Sequence, residues 1–160
     1  MAEDRYSPEE QQYIEEIGLY FEKLGLPRMP GRILGRLLIC DPPHQSLQEL
    51  ADALQASKGS ISTSTRMLIQ AGFVERMSFP KDRNDYYQLK SNIWSHHFKR
   101  QMESIVDFKI LIQKGMTMLE HEPLAKQNRL KEMLEFYEWL EETMPSFMTL
   151  WEQHKNKKKN

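Results

Sequence analysis

Between Ser46 and Gly72 the sequence reads SLQELADALQASKGSISTSTRMLIQAG, and it starts two helices in quick succession. Ser46-Leu47-Gln48-Glu49 is a capping box, with a serine to accept from the third helical N–H and a glutamate that reaches back. Leu47, Leu50 and Leu54 then share one side of a short helix ending near Leu54. Only Gln55 and Ala56 separate that end from Ser57, a natural N-cap, and Gly72 is a natural C-cap. Two capped helices joined by so short a turn leave few folds open.

The second of these helices, expected over 58–71, is built from weak material. From Ser57 to Thr65 there are six hydroxyl side chains and one glycine, all mediocre or poor helix formers. At 100° per residue, Ile61, Ser64, Leu68 and Ala71 fall on one side. Gly59, Ser62, Thr63, Arg66 and Gln70 fall on the other. The first side can pack tightly. The second is short and hydroxylic with one arginine, which suits close approach to a major groove.

Helical signals also dominate the flanks. Ser7-Pro8-Glu9-Glu10 is another capping box, and Ile14, Ile17, Phe21 and Leu24 follow before Gly25 stops a first helix near 8–24. A second helix near 30–40 carries Ile33, Leu34, Leu37 and Leu38, and DPPH breaks it. After Gly72, the runs FVERMSF and YYQLK flank the charged turn PKDRND and predict a hairpin over 73–90. Asn92 is placed to cap a long helix to about His121, with Phe98, Met102, Ile105, Ile112, Met116 and Leu119 close to a seven-residue repeat. Pro123 opens a last helix with Leu130, Met133, Leu134, Tyr137 and Leu140. Pro145 is expected to kink or end it. Helix, turn, helix and hairpin in this order are the layout of a winged helix-turn-helix. The fold class is therefore mainly α with a small β-hairpin wing and long flanking helices.

Charge is segregated although the net charge is only −1. From Ser57 to Lys90 six basic residues (Lys58, Arg66, Arg76, Lys81, Arg83, Lys90) face three acidic ones. From Glu120 to Glu142 seven glutamates face three basic residues. The middle of the chain suits an anion and the C-terminal part does not. Arg66 could take a guanine or a phosphate, and hydroxyls could take phosphate or base edges. Lys58 stands at a helix start, where backbone N–H groups also attract phosphate. Lys81 and Arg83 on the wing would reach the flanking minor groove. The candidate DNA-binding residues are thus Lys58, Gly59, Ser60, Ser62, Thr63, Arg66, Lys81 and Arg83. A winged helix used only for protein–protein contact is the alternative that the low net charge leaves open.

These residues carry a family resemblance. LQASKGSISTSTRMLIQAGFVER followed by FPKDRNDYYQL closely resembles the winged helix-turn-helix of the MarR superfamily. The matching positions are Ser57, Ile61, Ser62, Leu68, Gly72-Phe73-Val74 and Asp82-Arg83. YFEKLGLPRMPGRILGRLLICDPP ahead and LKEMLEFYEWLEETMP behind resemble the GbsR-like branch. The chain departs from the pattern at Asn84 and Asp85, where an extra basic residue is common, which lowers the expected strength of wing binding. The resemblance implies a homodimeric transcription regulator, often a repressor, on a pseudo-palindromic double-stranded DNA site. It divides the chain into an N-terminal dimerisation helix (1–25), a DNA-binding domain (26–91), C-terminal dimerisation helices (92–154) and a disordered basic tail (155–160). It also implies a small-molecule effector such as a choline-type cation, for which Tyr20, Phe21, Trp94, Tyr137 and Trp139 are candidate pocket residues.

Other chemistry finds little support. The one cysteine, Cys40, excludes an internal disulfide and fits a reducing cytoplasm; at the end of LLIC it reads as a buried structural thiol. His96-His97 and His121 lack the i, i+4 spacing of a metal ligand set. No nucleophile–base pair or phosphate loop stands out, so neither an enzyme nor a cofactor is expected. The acidic, polar start predicts no signal peptide, and no apolar run is long enough to span a bilayer.

Overall fold

The computed structural model describes residues 7–158. The first six residues, with most of the acidic start, and the last two of the basic tail lie outside them. The elements are α1 (Pro8–Lys23), α2 (Arg28–Ile39), β1 (His44–Ser46), α3 (Leu47–Ala53), α4 (Lys58–Gln70), β2 (Val74–Ser78), β3 (Asp85–Leu89), α5 (Ile93–Met118) and α6 (Leu124–Lys157). They form two compact units divided after Ile93.

In the first unit the caps form as the sequence predicts. Glu10 N–H donates to Ser7 Oγ at 3.2 Å and Ser7 N–H to Glu10 Oε2 at 3.0 Å. Ser46 and Glu49 repeat the exchange at 3.2 and 2.7 Å. Three helices also end alike. Gly25, Gln55 and Gly72 adopt positive φ (75°, 49° and 80°), and the next N–H reaches back to Phe21, Ala51 and Leu68 carbonyls at 3.0, 3.0 and 2.9 Å. This is the Schellman arrangement. Glycine takes it without strain at two of the three sites, while Gln55 takes it as a side-chain-bearing residue in the helix-turn-helix corner.

α1 packs into this unit, and glycines set the distance. A Cβ on Gly31 would lie 2.8 Å from the Ile17 carbonyl oxygen and from the Phe21 ring, and one on Gly35 would lie 3.3 Å from Ile14. Ile14 and Phe21 therefore join Ile33, Leu34, Leu37, Leu50, Leu54, Ile61, Leu68, Val74 and Tyr87 in one core. Glu15 on α1 also pairs with Arg28 and Arg32 of α2, each at 2.6 Å, and Arg32 Nη2 donates to the Leu54 carbonyl at the helix-turn-helix corner, at 3.0 Å. The N-terminal helix thus shares the core of this unit. Leu24, the last of the helically spaced apolar residues, is exposed because it is the C-cap, where the chain leaves the helix.

The sheet has one strand more than the expected hairpin. β3 is central and pairs antiparallel with both β2 and β1, with Ser78 opposite Asp85 and Ser46 opposite Tyr86. β1 is His-Gln-Ser, too short and too polar to show alternation. Its strand character comes from pairing with β3, which lies far along the chain.

The second unit is an antiparallel helical hairpin. Gly115 meets Leu130, the Phe108 and Tyr137 rings lie 5.2 Å apart, Lys109 pairs with Glu141, and Trp151 Nε1 donates to Ser95 Oγ at 3.2 Å. Phe98, Met102, Ile105, Ile112 and Met116 form the more buried stripe of α5, and Leu119 continues it just beyond the helix end, as their spacing predicts. Asn92 precedes α5 with φ 56°, a left-handed turn conformation that asparagine tolerates and not the extended backbone of a usual N-cap. Pro145 does not end the last helix. α6 runs through it for 34 residues, with Ser146 and Thr149 hydroxyls donating to the Thr143 and Pro145 carbonyls. The basic run from Lys155, expected to be disordered, is helical as far as Lys157.

Candidate nucleic-acid interface

α4 divides as its helical angles predict. Ile61, Ser64 and Leu68 are buried, and Thr65 is buried with them. The angular assignment left Thr65 out. It can be inside because its Oγ1 donates to the Ile61 carbonyl at 2.9 Å, so no hydroxyl is left unsatisfied. Ser57 caps the helix by accepting from Ser60 N–H at 3.2 Å. Lys58, Gly59, Thr63 and Arg66 are exposed, and Ser60 and Ser62 are half-buried.

Three properties of the exposed face matter chemically. A Cβ built on Gly59 would meet nothing closer than Ser57 Oγ at 4.0 Å, so no intramolecular packing requires glycine there. No acidic residue occurs in α4, and Lys58 occupies the first helical position, although α1 and α3 carry glutamates in their first turns. A cation there opposes the helix dipole. Arg66 lies back along its own helix, with Nε donating to the Ser62 carbonyl at 3.3 Å and Nη2 reaching Thr63 Oγ1 at 3.5 Å. It is held by neutral groups, which an incoming phosphate or base edge can outcompete.

The wing tip is built around Asp82. Phe79-Pro80-Lys81-Asp82 closes by Asp82 N–H donating to the Phe79 carbonyl at 3.1 Å. With proline second and Lys81 at φ 70°, this is a type II turn whose third residue is ordinarily glycine or asparagine. Asp82 Oδ1 then accepts from Asn84 N–H at 2.9 Å, and Oδ2 accepts from Tyr86 Oη at 2.7 Å. These bonds, the Asn84 one foremost, hold the Asp82 carboxyl below the ordinary carboxylate range. The bond to Asp82 in turn pushes the Tyr86 phenol up. Lys81 and Arg83, on either side of Asp82, are exposed and make no ion pair among the described residues. Asp85, one of the two departures from the expected wing, is paired with Arg76 at 3.2 Å.

Sequence reasoning missed His44. Its ring lies 4.9 Å from Phe79 and 5.3 Å from Tyr86, and those two rings lie 5.0 Å apart. The signal was hidden because His44 belongs to the strand that sequence periodicity does not reveal. Of the candidate effector residues, Phe21 is a core residue and Tyr137 packs between Phe108, tilted against it, and Phe136, edge-on to it. Tyr20, Trp94 and Trp139 are exposed. Cys40 is half-buried, and burial raises its thiol pKa, the opposite of a reactive thiolate. Among the described residues no helix is long and apolar enough to cross a membrane.

Known proteins place this architecture. A family model described as MmpR5-like MarR family transcriptional regulator matches residues 92–154, and one described as MarR family matches residues 37–84. The HTH-type transcriptional regulator MmpR5 of Mycobacterium tuberculosis is 40% identical over 134 residues, covering 84% of this chain and 81% of that protein. The HTH-type transcriptional repressor OpcR of Bacillus subtilis is 27% identical over 155 residues, covering 86% and 83%. A crystal structure of a transcriptional regulator is 37% identical and superposes with a TM-score of 0.81 over 91% of this chain and 99% of that one. The chain belongs to the MarR family of winged-helix, DNA-binding transcription regulators.

Proposed function

We propose that this regulator is a cytoplasmic homodimeric repressor that binds a pseudo-palindromic operator, with α4 in the major groove and the wing at the flanking minor groove. The observation that carries this reading is the exposed face of α4. It is hydroxylic, open at Gly59, free of carboxylates, and led by a lysine that opposes its own helix dipole. An external anion accounts for all four properties. Lys58, Lys81 and Arg83 anchor phosphates and the minor groove, while Ser60, Ser62, Thr63 and Arg66 face the base edges. The repressor sign is supported by the resemblance to OpcR, a transcriptional repressor.

The dimer reading is supported by the second unit. α6 buries none of its residues, and Ile110, Leu111, Phe136, Trp139 and Leu150 stand more than half exposed. Apolar surface on that scale marks an interface. α1 adds Leu19 and Tyr20. A gel shift with the intergenic DNA upstream of the chain's own gene tests the proposal. Retardation that weakens steeply with salt is expected. Equal affinity for that duplex and for random DNA would refute sequence-specific binding, and a monomer at micromolar concentration in sedimentation would refute the dimer.

A further inference from the structure

We propose that Asp82, Tyr86 and His44 form a brace that fixes the wing tip before DNA arrives, so that Lys81 and Arg83 act as pre-positioned contacts; this rests on the DNA reading above. Asp82 closes two successive turns. Its N–H closes the Phe79–Asp82 turn, and its carboxylate closes the turn to Asn84. The two basic residues are its immediate neighbours, so their backbones are set by the same residue. The other carboxylate oxygen is tied to Tyr86 on β3. Tyr86 is packed edge-on against both Phe79, at the start of the turn, and His44 on β1. The tip is thereby joined to β1 as well as to its own hairpin.

Two details argue that the tip is built for presentation. Lys81 holds a left-handed conformation that disfavours any residue with a Cβ, where glycine would be unstrained. A lysine kept at that cost is explained by the use of its charge. Asp82 places a carboxylate between two cations, yet both of its oxygens are engaged by Asn84 and Tyr86 and neither is paired with Lys81 or Arg83. The carboxylate orders the loop without pairing with the groups that it presents. Ordering a contact in advance removes its entropic cost on binding.

Titrations of the full-length protein with a fluorescent duplex of its own upstream intergenic DNA, over a series of salt concentrations, test the brace. Tyr86→Phe should weaken binding by roughly twofold to tenfold, the entropic cost of one side chain ordered on binding. The slope of log affinity against log salt should stay unchanged, because the same phosphates are met. Arg83→Ala should weaken binding and flatten that slope. Wild-type affinity in Tyr86→Phe beside a weakened Arg83→Ala overturns the brace and leaves the DNA reading intact. Wild-type affinity in both overturns the wing assignment and the brace with it. Amide exchange in the free protein gives a readout independent of DNA. The Asn84 amide should be protected in the wild type and exchange faster in Asp82→Ala, and equal exchange in the two overturns the brace.

Discussion

Gly59→Ala separates the two demands on α4. The chain itself gains from the substitution. Gly59 lies inside a helix, its φ is not positive, and an added methyl would meet nothing closer than 4.0 Å. Replacing a helical glycine by alanine under those conditions stabilises by about 0.5–1 kcal/mol, mostly by restricting the unfolded chain. For a protein of this size that is an increase in Tm of about 1–4 °C. The operator complex should lose. A methyl inserted where a helix approaches a groove closely costs about 1–3 kcal/mol of misfit, or roughly fivefold to 150-fold in affinity. Melting by circular dichroism and anisotropy titration of the same preparation give both numbers. A variant that melts higher and binds as tightly as the wild type would refute close approach at Gly59, and with it the docking of the first turn of α4. A variant that melts lower would refute the claim that the space at Gly59 is open.

Lys81→Gly should behave similarly at the wing, raising stability by about 1 kcal/mol through relief of the left-handed strain while weakening DNA binding and its salt dependence; paired melts and titrations check it. Gly31→Ala should do the reverse of Gly59→Ala. Its Cβ would sit 2.8 Å from the Ile17 carbonyl oxygen, so overpacking outweighs helix propensity and a loss of about 1–2 kcal/mol is expected in urea unfolding. The Asp82 brace sets a pH window. Because its carboxyl is held below the ordinary value, its contribution is present above that value and is lost as pH falls through the depressed pKa. The raised Tyr86 phenol loses its part only as pH rises through its own shifted value. Asn84 amide protection should therefore persist from about pH 4 to about pH 10; loss of protection between pH 5 and 8 in hydrogen exchange would contradict the assignment.

The helix-turn-helix was legible because its signals are local. Ser46, Glu49, Ser57 and Gly72 act within one turn of where they stand, and the 3.6-residue period correctly put Ile61 and Leu68 inside. Thr65 escaped because a hydroxyl can be buried by bonding its own helix, which composition does not reveal. β1 escaped because three polar residues have no period; the strand exists through Tyr86 and its neighbours some forty positions later. Of the two outcomes expected at Pro145, a kink or an end, the end does not occur, since a missing N–H removes one bond from a helix that many others sustain. In the candidate site, the residue types on α4 and the wing were readable. The roles of His44 and Tyr86 were not, because they depend on a ring cluster assembled from three separated segments.

The long last helix has a consequence for dosage. α6 extends for roughly 50 Å at 1.5 Å per residue, yet buries none of its side chains within the chain. If copies pair through it as proposed, the hairpin's persistence becomes a matter of mass action, and its melting temperature should climb with protein concentration. A regulator made this way would meter its own abundance. On the proposed dimer, a low copy number would leave the carboxy-terminal half more open to proteolysis, and a stable pair of DNA-reading units would exist only above an assembly threshold.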